Sequence, residues 1–209
     1  MFRMKSIHAV VLALAAGLSA GGHAASTWDE ASRGDLSNDR LNPTALVMAA
    51  GDNTVLGTVG NTGSGVDRDY FKFQVHTGFE LQAIVLLGNS AVSGASAFIA
   101  LQDGPQMLTT PGGAGIEHLL GQLHYEPHMV GQDLLALMAA RFSGALPAGT
   151  YTAWVQETGG VVPYGLNFVM APVPEPGAGT LWLAGLAAGG IWARRRMPRG
   201  GLMSPSACA

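Results

Sequence analysis

The chain of 209 residues holds a single cysteine, Cys208, next to its C-terminal residue. The body of the protein therefore has no disulfide, and its stability has to come from burying a core. A body of about 145 residues is large enough for that. Positive charge is scarce as well. Between Ala25 and Val173 there are five Lys and Arg against 13 Asp and Glu, a net charge of −8. A surface of that sign excludes nucleic acid as a partner, because phosphate binding needs a basic stripe that releases counterions. It suits solubility, exposure to the outside, or divalent cations. No repeat of solenoid length is visible. Ser93-Gly94 and Ser143-Gly144 lack the Gly-x-Ser-x-Gly setting of an activated serine. No twelve-residue loop of EF-hand type is present. The expectation is a protein that is not an enzyme and carries no cofactor.

Apolar residues make up 48% of the chain and charged ones 12%, and the apolar excess gathers at the two ends. Met1 to Ala24 reads as a secretory signal peptide. Arg3 and Lys5 form the positive start, Ala9 to Ala20 the apolar stretch, and Gly22 and Ala24 the small residues before cleavage at Ala25. That apolar run falls short of the about 20 residues a membrane span needs. It implies the Sec translocon and signal peptidase as partners.

At the other end Val173-Pro174-Glu175-Pro176-Gly177 precedes an apolar stretch, Ala178 to Ala193, and then Arg194, Arg195 and Arg196. The prolines bar helix continuation from the preceding domain. As a helix, the apolar stretch rises about 24 Å, a slightly short span. Trp182 and Trp192 sit near its ends, where indoles favour the interface, and the arginines hold the terminus in the cytoplasm. Cys208 then lies on the cytoplasmic side and cannot act outside.

Order and spacing in this tail resemble the PEP-CTERM sorting signal. The resemblance implies handling by an exosortase, a membrane-embedded Cys protease of Gram-negative bacteria that make exopolysaccharide. Val173, Pro174, Glu175 and Pro176 would be the recognised residues, and Arg194, Arg195 and Arg196 the topology anchor. Family tails usually stop soon after the arginines, whereas Met197 to Ala209 follow here.

Between the ends, short alternating segments are separated by Gly, Pro and Asn. Arg68 to Val75 puts Phe71, Phe73 and Val75 on one face and Tyr70, Lys72 and Gln74 on the other. Further strands are expected at Ala45–Met48, Thr54–Val59, Leu81–Leu87, Ala97–Leu101, Thr150–Gln156 and Tyr164–Met170, with a short helix or buried turn at Leu134–Ala140. Together they predict an all-β, antiparallel, jelly-roll-like β-sandwich, flanked by the signal peptide and a C-terminal transmembrane helix. The expected division is 1–24 signal peptide, 25–172 ectodomain, 173–197 sorting and anchor segment, and 198–209 extension.

Gly51 to Val59, Asp67 to Phe73 and the turn Leu146-Pro147-Ala148-Gly149-Thr150-Tyr151 resemble the bacterial pre-peptidase C-terminal domain. That family implies a jelly-roll-like sandwich attached to secreted enzymes, serving export or substrate association.

Individual residues suggest three kinds of chemistry. Trp154, on the strand face opposite Tyr151 and Val155, is a candidate exposed platform for a glycan. Asp67 and Asp69 are a candidate calcium pair, since hard cations take oxygen ligands. His118, His124 and His128, with Glu117 and Glu126 among them, suggest zinc, but Pro127 breaks the helix that would align them. The combined expectation is an exported surface or matrix protein that passes through an inner-membrane intermediate and associates with exopolysaccharide. The alternatives are a secreted hydrolase or its accessory domain, and a permanently tethered structural protein.

Overall fold

A computed structural model describes residues 26–173 apart from Ala95. The expected signal peptide, the membrane span at 178–193, the three arginines and the extension lie outside the described residues. In chain order the elements are β1 (Ser26–Asp29), α1 (Glu30–Arg33), β2 (Thr44–Ala45), β3 (Gly51–Asn61), β4 (Val66–Val75), β5 (Phe79–Leu86) and β6 (Ala97–Asp103). They continue with β7 (Leu119–Tyr125), α2 (Leu134–Leu137), β8 (Ala139–Ala140), β9 (Gly149–Gln156) and β10 (Val162–Pro172). Short 3-10 turns at Ile116–His118 and Pro127–Met129 flank β7. Among the described residues no helix is long and apolar enough to cross a membrane.

The protein is mostly antiparallel β. Its strands run β5-β10-β3-β4-β9-β6-β7-β8, with β1 added to β3 and β2 to β4 in parallel. Strands β3 and β4 share only the pairs Gly60–Asp67 and Asn61–Val66, so the sheet curls at that corner. The curl brings Phe168 of β10 edge-on to Phe71 and Phe73 of β4, with ring centroids 5.7 and 5.2 Å apart. Such edge-to-face pairs add to what area burial alone contributes. On the far side, isolated bridges Leu81–Leu146 and Val85–Asp133 tie β5 to the segments around α2 and β9.

The alternation in β4 acts as expected: Phe71, Phe73 and Val75 are buried, opposite Ala153, Tyr151 and Gly149 of β9. The expected strand at Ala45–Met48 shortens to Thr44–Ala45, although Leu46 and Met48 are still buried. At Leu134–Ala140 the chain forms α2 and then β8. Asp133 caps that helix at Leu135 N (3.0 Å) and also accepts from Ile84 N of β5 (3.0 Å).

Trp154 requires a correction. It does lie on the face opposite Val155, but it is buried, with only 4% of its surface exposed. Tyr70 stacks on it at 5.7 Å and Phe98 meets it edge-on at 4.7 Å. Residues 104–118 cover this second apolar cluster, which also includes Met107 and Leu119. Gln102 holds the cover by accepting from Leu108 N (3.0 Å) and donating to the Gln106 carbonyl (2.9 Å). Arg40 donates to the carbonyls of Met107 (2.9 Å) and Leu108 (3.0 Å). Trp154 is therefore not the exposed platform expected of it.

Candidate functional site

The most unusual chemistry sits where the N-terminal segment crosses β4. Asp69 follows the parity of Phe71 and Phe73, so its carboxylate enters the core rather than solvent. It is fully buried. Tyr164 of β10 donates to its Oδ2 at 2.7 Å, and the Asp69 carboxyl also hydrogen-bonds the Glu30 side chain.

Local capping chemistry delivers two more carboxylates. Asp29 accepts from Ala31 N at 3.0 Å and starts the single turn of α1. Gly34, at φ 87°, ends that turn in a conformation other residues avoid. The Glu30 carboxylate is clamped by backbone donors, Leu36 N at 3.0 Å on Oε1 and Thr58 N at 2.7 Å on Oε2. Leu36 is buried, and Tyr70 N donates to the Ser37 carbonyl at 2.9 Å, which holds the segment alongside β4. Asp35 therefore arrives beside Asp69. One carboxylate oxygen from each of Glu30, Asp35 and Asp69 lies within 4.8 Å of the others.

Electrostatics follow from this crowding. Burial first, and the Glu30 charge second, raise the Asp69 carboxyl to about 9, against the opposing pull of the Tyr164 hydrogen bond. Burial also raises Glu30 and Asp67, with Asp35 adding to both. Tyr164 is pushed well above its usual value by burial and then by Asp69. A cleft of about 590 Å³ opens here, and Glu30, Asp35, Asp67, Gly57 and Tyr164 are in its wall.

Gly57 makes room for the Tyr164 ring. A Cβ at that position would stand 2.7 Å from Tyr164 Oη. Gly57→Ala is expected to destabilise the fold by about 1–3 kcal/mol through overpacking. Urea unfolding checks it; unchanged stability would mean that the phenol moves freely.

Of the expected calcium pair, Asp69 joins this cluster, whereas Asp67 is beside it without belonging to the group of three. Glu30 and Asp35 escaped the sequence reading. The available signal was the parity of Asp69 with Phe71, which marks a buried acid in need of partners. The histidines do not converge. His124 Nδ1 and Ser96 Oγ are hydrogen-bonded at 3.2 Å, His128 pairs with Glu126 at 3.2 Å, and His118 lies 3.7 Å from Glu117. These are exposed neighbours rather than a shared metal shell. A smaller hollow of about 190 Å³ lies over Phe98, Gln122, His124 and Trp154, on the face opposite the core.

The remaining candidate is the tail. Strand β10 ends at Pro172, and Val173 is the last described residue. Residues 172–196 match the family model for the PEP-CTERM protein-sorting motif. The matched stretch contains Val173, Pro174, Glu175 and Pro176 and runs to Arg196. A PEP-CTERM motif marks an exported protein that an exosortase sorts and that is processed at the cell envelope. No curated protein and no solved structure matches the chain. The likeness of the middle domain to the pre-peptidase family therefore rests on the quoted motifs.

Proposed function

We propose that this PEP-CTERM protein is a non-enzymatic component of the surface or extracellular matrix of a Gram-negative bacterium, associated with exopolysaccharide. The observation that carries the reading is the sorting motif at 172–196, which starts where the last strand of the β-domain stops. Sorting then acts on a tail, and the domain is the cargo. A signal peptide at 1–24 brings the chain to the Sec translocon and signal peptidase, and the span at 178–193 holds it in the inner membrane for the exosortase.

Within the domain, the two facing halves of the curled sheet support a jelly-roll-like sandwich. Tyr151 donates from its hydroxyl to the Pro147 carbonyl at 2.8 Å, a corner contact familiar from Greek-key sandwiches. The buried Asp69 is screened from any polymeric substrate, which favours a structural role for the acids over a hydrolytic one.

Calorimetric titration of the purified exported protein with exopolysaccharide from its own host tests the polymer association. Saturable heat is expected. Absence of heat together with absence of co-sedimentation, at polymer excess, refutes it while leaving the sorting reading intact.

A further inference from the structure

We propose that the hollow over Phe98, Gln122, His124 and Gln156 binds one neutral sugar ring and is the site through which the domain holds a polysaccharide. The inference rests on the polymer association proposed above and names its contact surface. Strand register builds the floor. Phe98 of β6 stands between His124 of β7 and Gln156 of β9, and two residues along Ala100 stands between Gln122 and Trp154. Side chains two apart share a face, so these rows lie together on the face opposite the main core. Residues of the 109–116 segment wall the hollow above them.

Size and chemistry select the occupant. The volume of about 190 Å³ is below the about 300–1,000 Å³ of pockets for drug-sized ligands, and it suits a single ring. Among the described residues that line it there is no Asp, Glu, Lys or Arg, although the stretch from Ala25 to Val173 carries a net charge of −8. A neutral ligand meets such a wall without repulsion from the domain and without a countercharge. Phe98 and Trp154 offer aromatic surface to the apolar face of a sugar. The Gln122 and Gln156 amides and the His124 imidazole suit hydroxyls, each of which both donates and accepts.

The polar groups are oriented by contacts that occupy one side of each. Gln156 Oε1 accepts from Arg68 Nε at 2.6 Å, which leaves the amide nitrogen to donate. His124 Nδ1 and Ser96 Oγ are hydrogen-bonded at 3.2 Å, which leaves Nε2. The Phe98 ring lies 5.2 Å from that of His124 and 4.7 Å from that of Trp154, so the aromatic part of the floor is held from both sides. Trp154 supplies an independent sign of a missing ligand. It belongs to the wall of the hollow, is only 4% exposed, and its buried indole N–H meets no acceptor. A buried donor left unmet is costly, and a sugar hydroxyl is an acceptor of the kind it lacks.

The test titrates the isotope-labelled exported protein with the neutral monosaccharides released by acid hydrolysis of its host's exopolysaccharide, followed by NMR. Saturable shifts are expected in the Trp154 indole N–H and in the Gln122 and Gln156 amides, with a Kd on the order of 1 mM. Gln122→Ala and, independently, His124→Ala should each weaken sugar binding about fivefold, the loss of one hydrogen bond, and lower co-sedimentation with the intact polymer. Gln122 is half-buried and His124 exposed, so neither variant removes a core side chain. Shifts confined to other residues, or sugar affinity unchanged in both variants, overturn the proposal. Polymer binding that persists while no monosaccharide shifts these residues overturns the site and leaves the polymer association standing. Absence of polymer binding by the unaltered protein removes the association and this site with it.

Discussion

Phe168→Ala is expected to lower stability by about 3–5 kcal/mol, the range for deleting a buried aromatic and leaving a cavity. Phe168 is fully buried on β10, and its ring contacts both Phe71 and Phe73 across the curl of the sheet. Those two contacts connect the strands on either side of the β3–β4 corner, where the ladder has only two residue pairs. Side-chain packing must therefore do what hydrogen bonds do elsewhere in the sheet. Against a typical total of about 5–15 kcal/mol, the loss is large enough to leave a fraction of the chains unfolded at growth temperature. Urea denaturation should show a lower midpoint with an unchanged slope. A loss under about 1 kcal/mol would mean that the two halves are held chiefly by their other contacts.

Asn53→Ala should cost about 2–4 kcal/mol, although it removes little apolar surface. Asn53 is 2% exposed and satisfies the backbone around it. Its Oδ1 accepts from Ala49 N at 2.7 Å, while its Nδ2 donates to the carbonyls of Ala49 (2.8 Å), Gly51 (3.0 Å) and Phe168 (3.1 Å). Alanine leaves these groups without a partner at the start of β3. Asn167→Ala is the control. Asn167 accepts once, from Asn53 N at 3.0 Å, and donates to exposed Asp52 at 2.8 Å, so about 1 kcal/mol is expected. Equal losses in the two variants would contradict the special weight given to Asn53.

What could be read from the sequence follows the range of the interaction. Period-two alternation is local, so the core face of β4 and of β9 is legible from Phe71, Phe73, Tyr151 and Val155 alone. The burial of Tyr70 and Trp154 is not local. It depends on residues 104–118 folding over them, which Gln102 and Arg40 secure from distant parts of the chain. Strand β7 went unpredicted because His118, His124 and Glu126 give its neighbourhood a polar look. Its own Gly121, Leu123 and Tyr125 nevertheless alternate, and Tyr125 is buried in the main core, while the register shift at Gln102 turns Leu119 to the second cluster. The acidic cluster shows the same limit. Asp69 was legible as an acid in an apolar stripe, whereas Glu30 and Asp35 meet it only because a capped turn and a backbone bridge steer the N-terminal segment there.

The sorting motif is legible for the opposite reason: recognition by an exosortase reads a short linear tail, so order and spacing carry it without a fold. The central claim is that this tail is a signal and the β-domain its cargo. Intact mass of the protein from its native host, with and without the exosortase, tests that claim most directly. The account predicts a mature chain ending near Val173 to Gly177 when the enzyme is present, and a chain that keeps Arg194 to Arg196 when it is absent. A mass that retains the arginines in both strains would contradict it and make the protein a permanently tethered one.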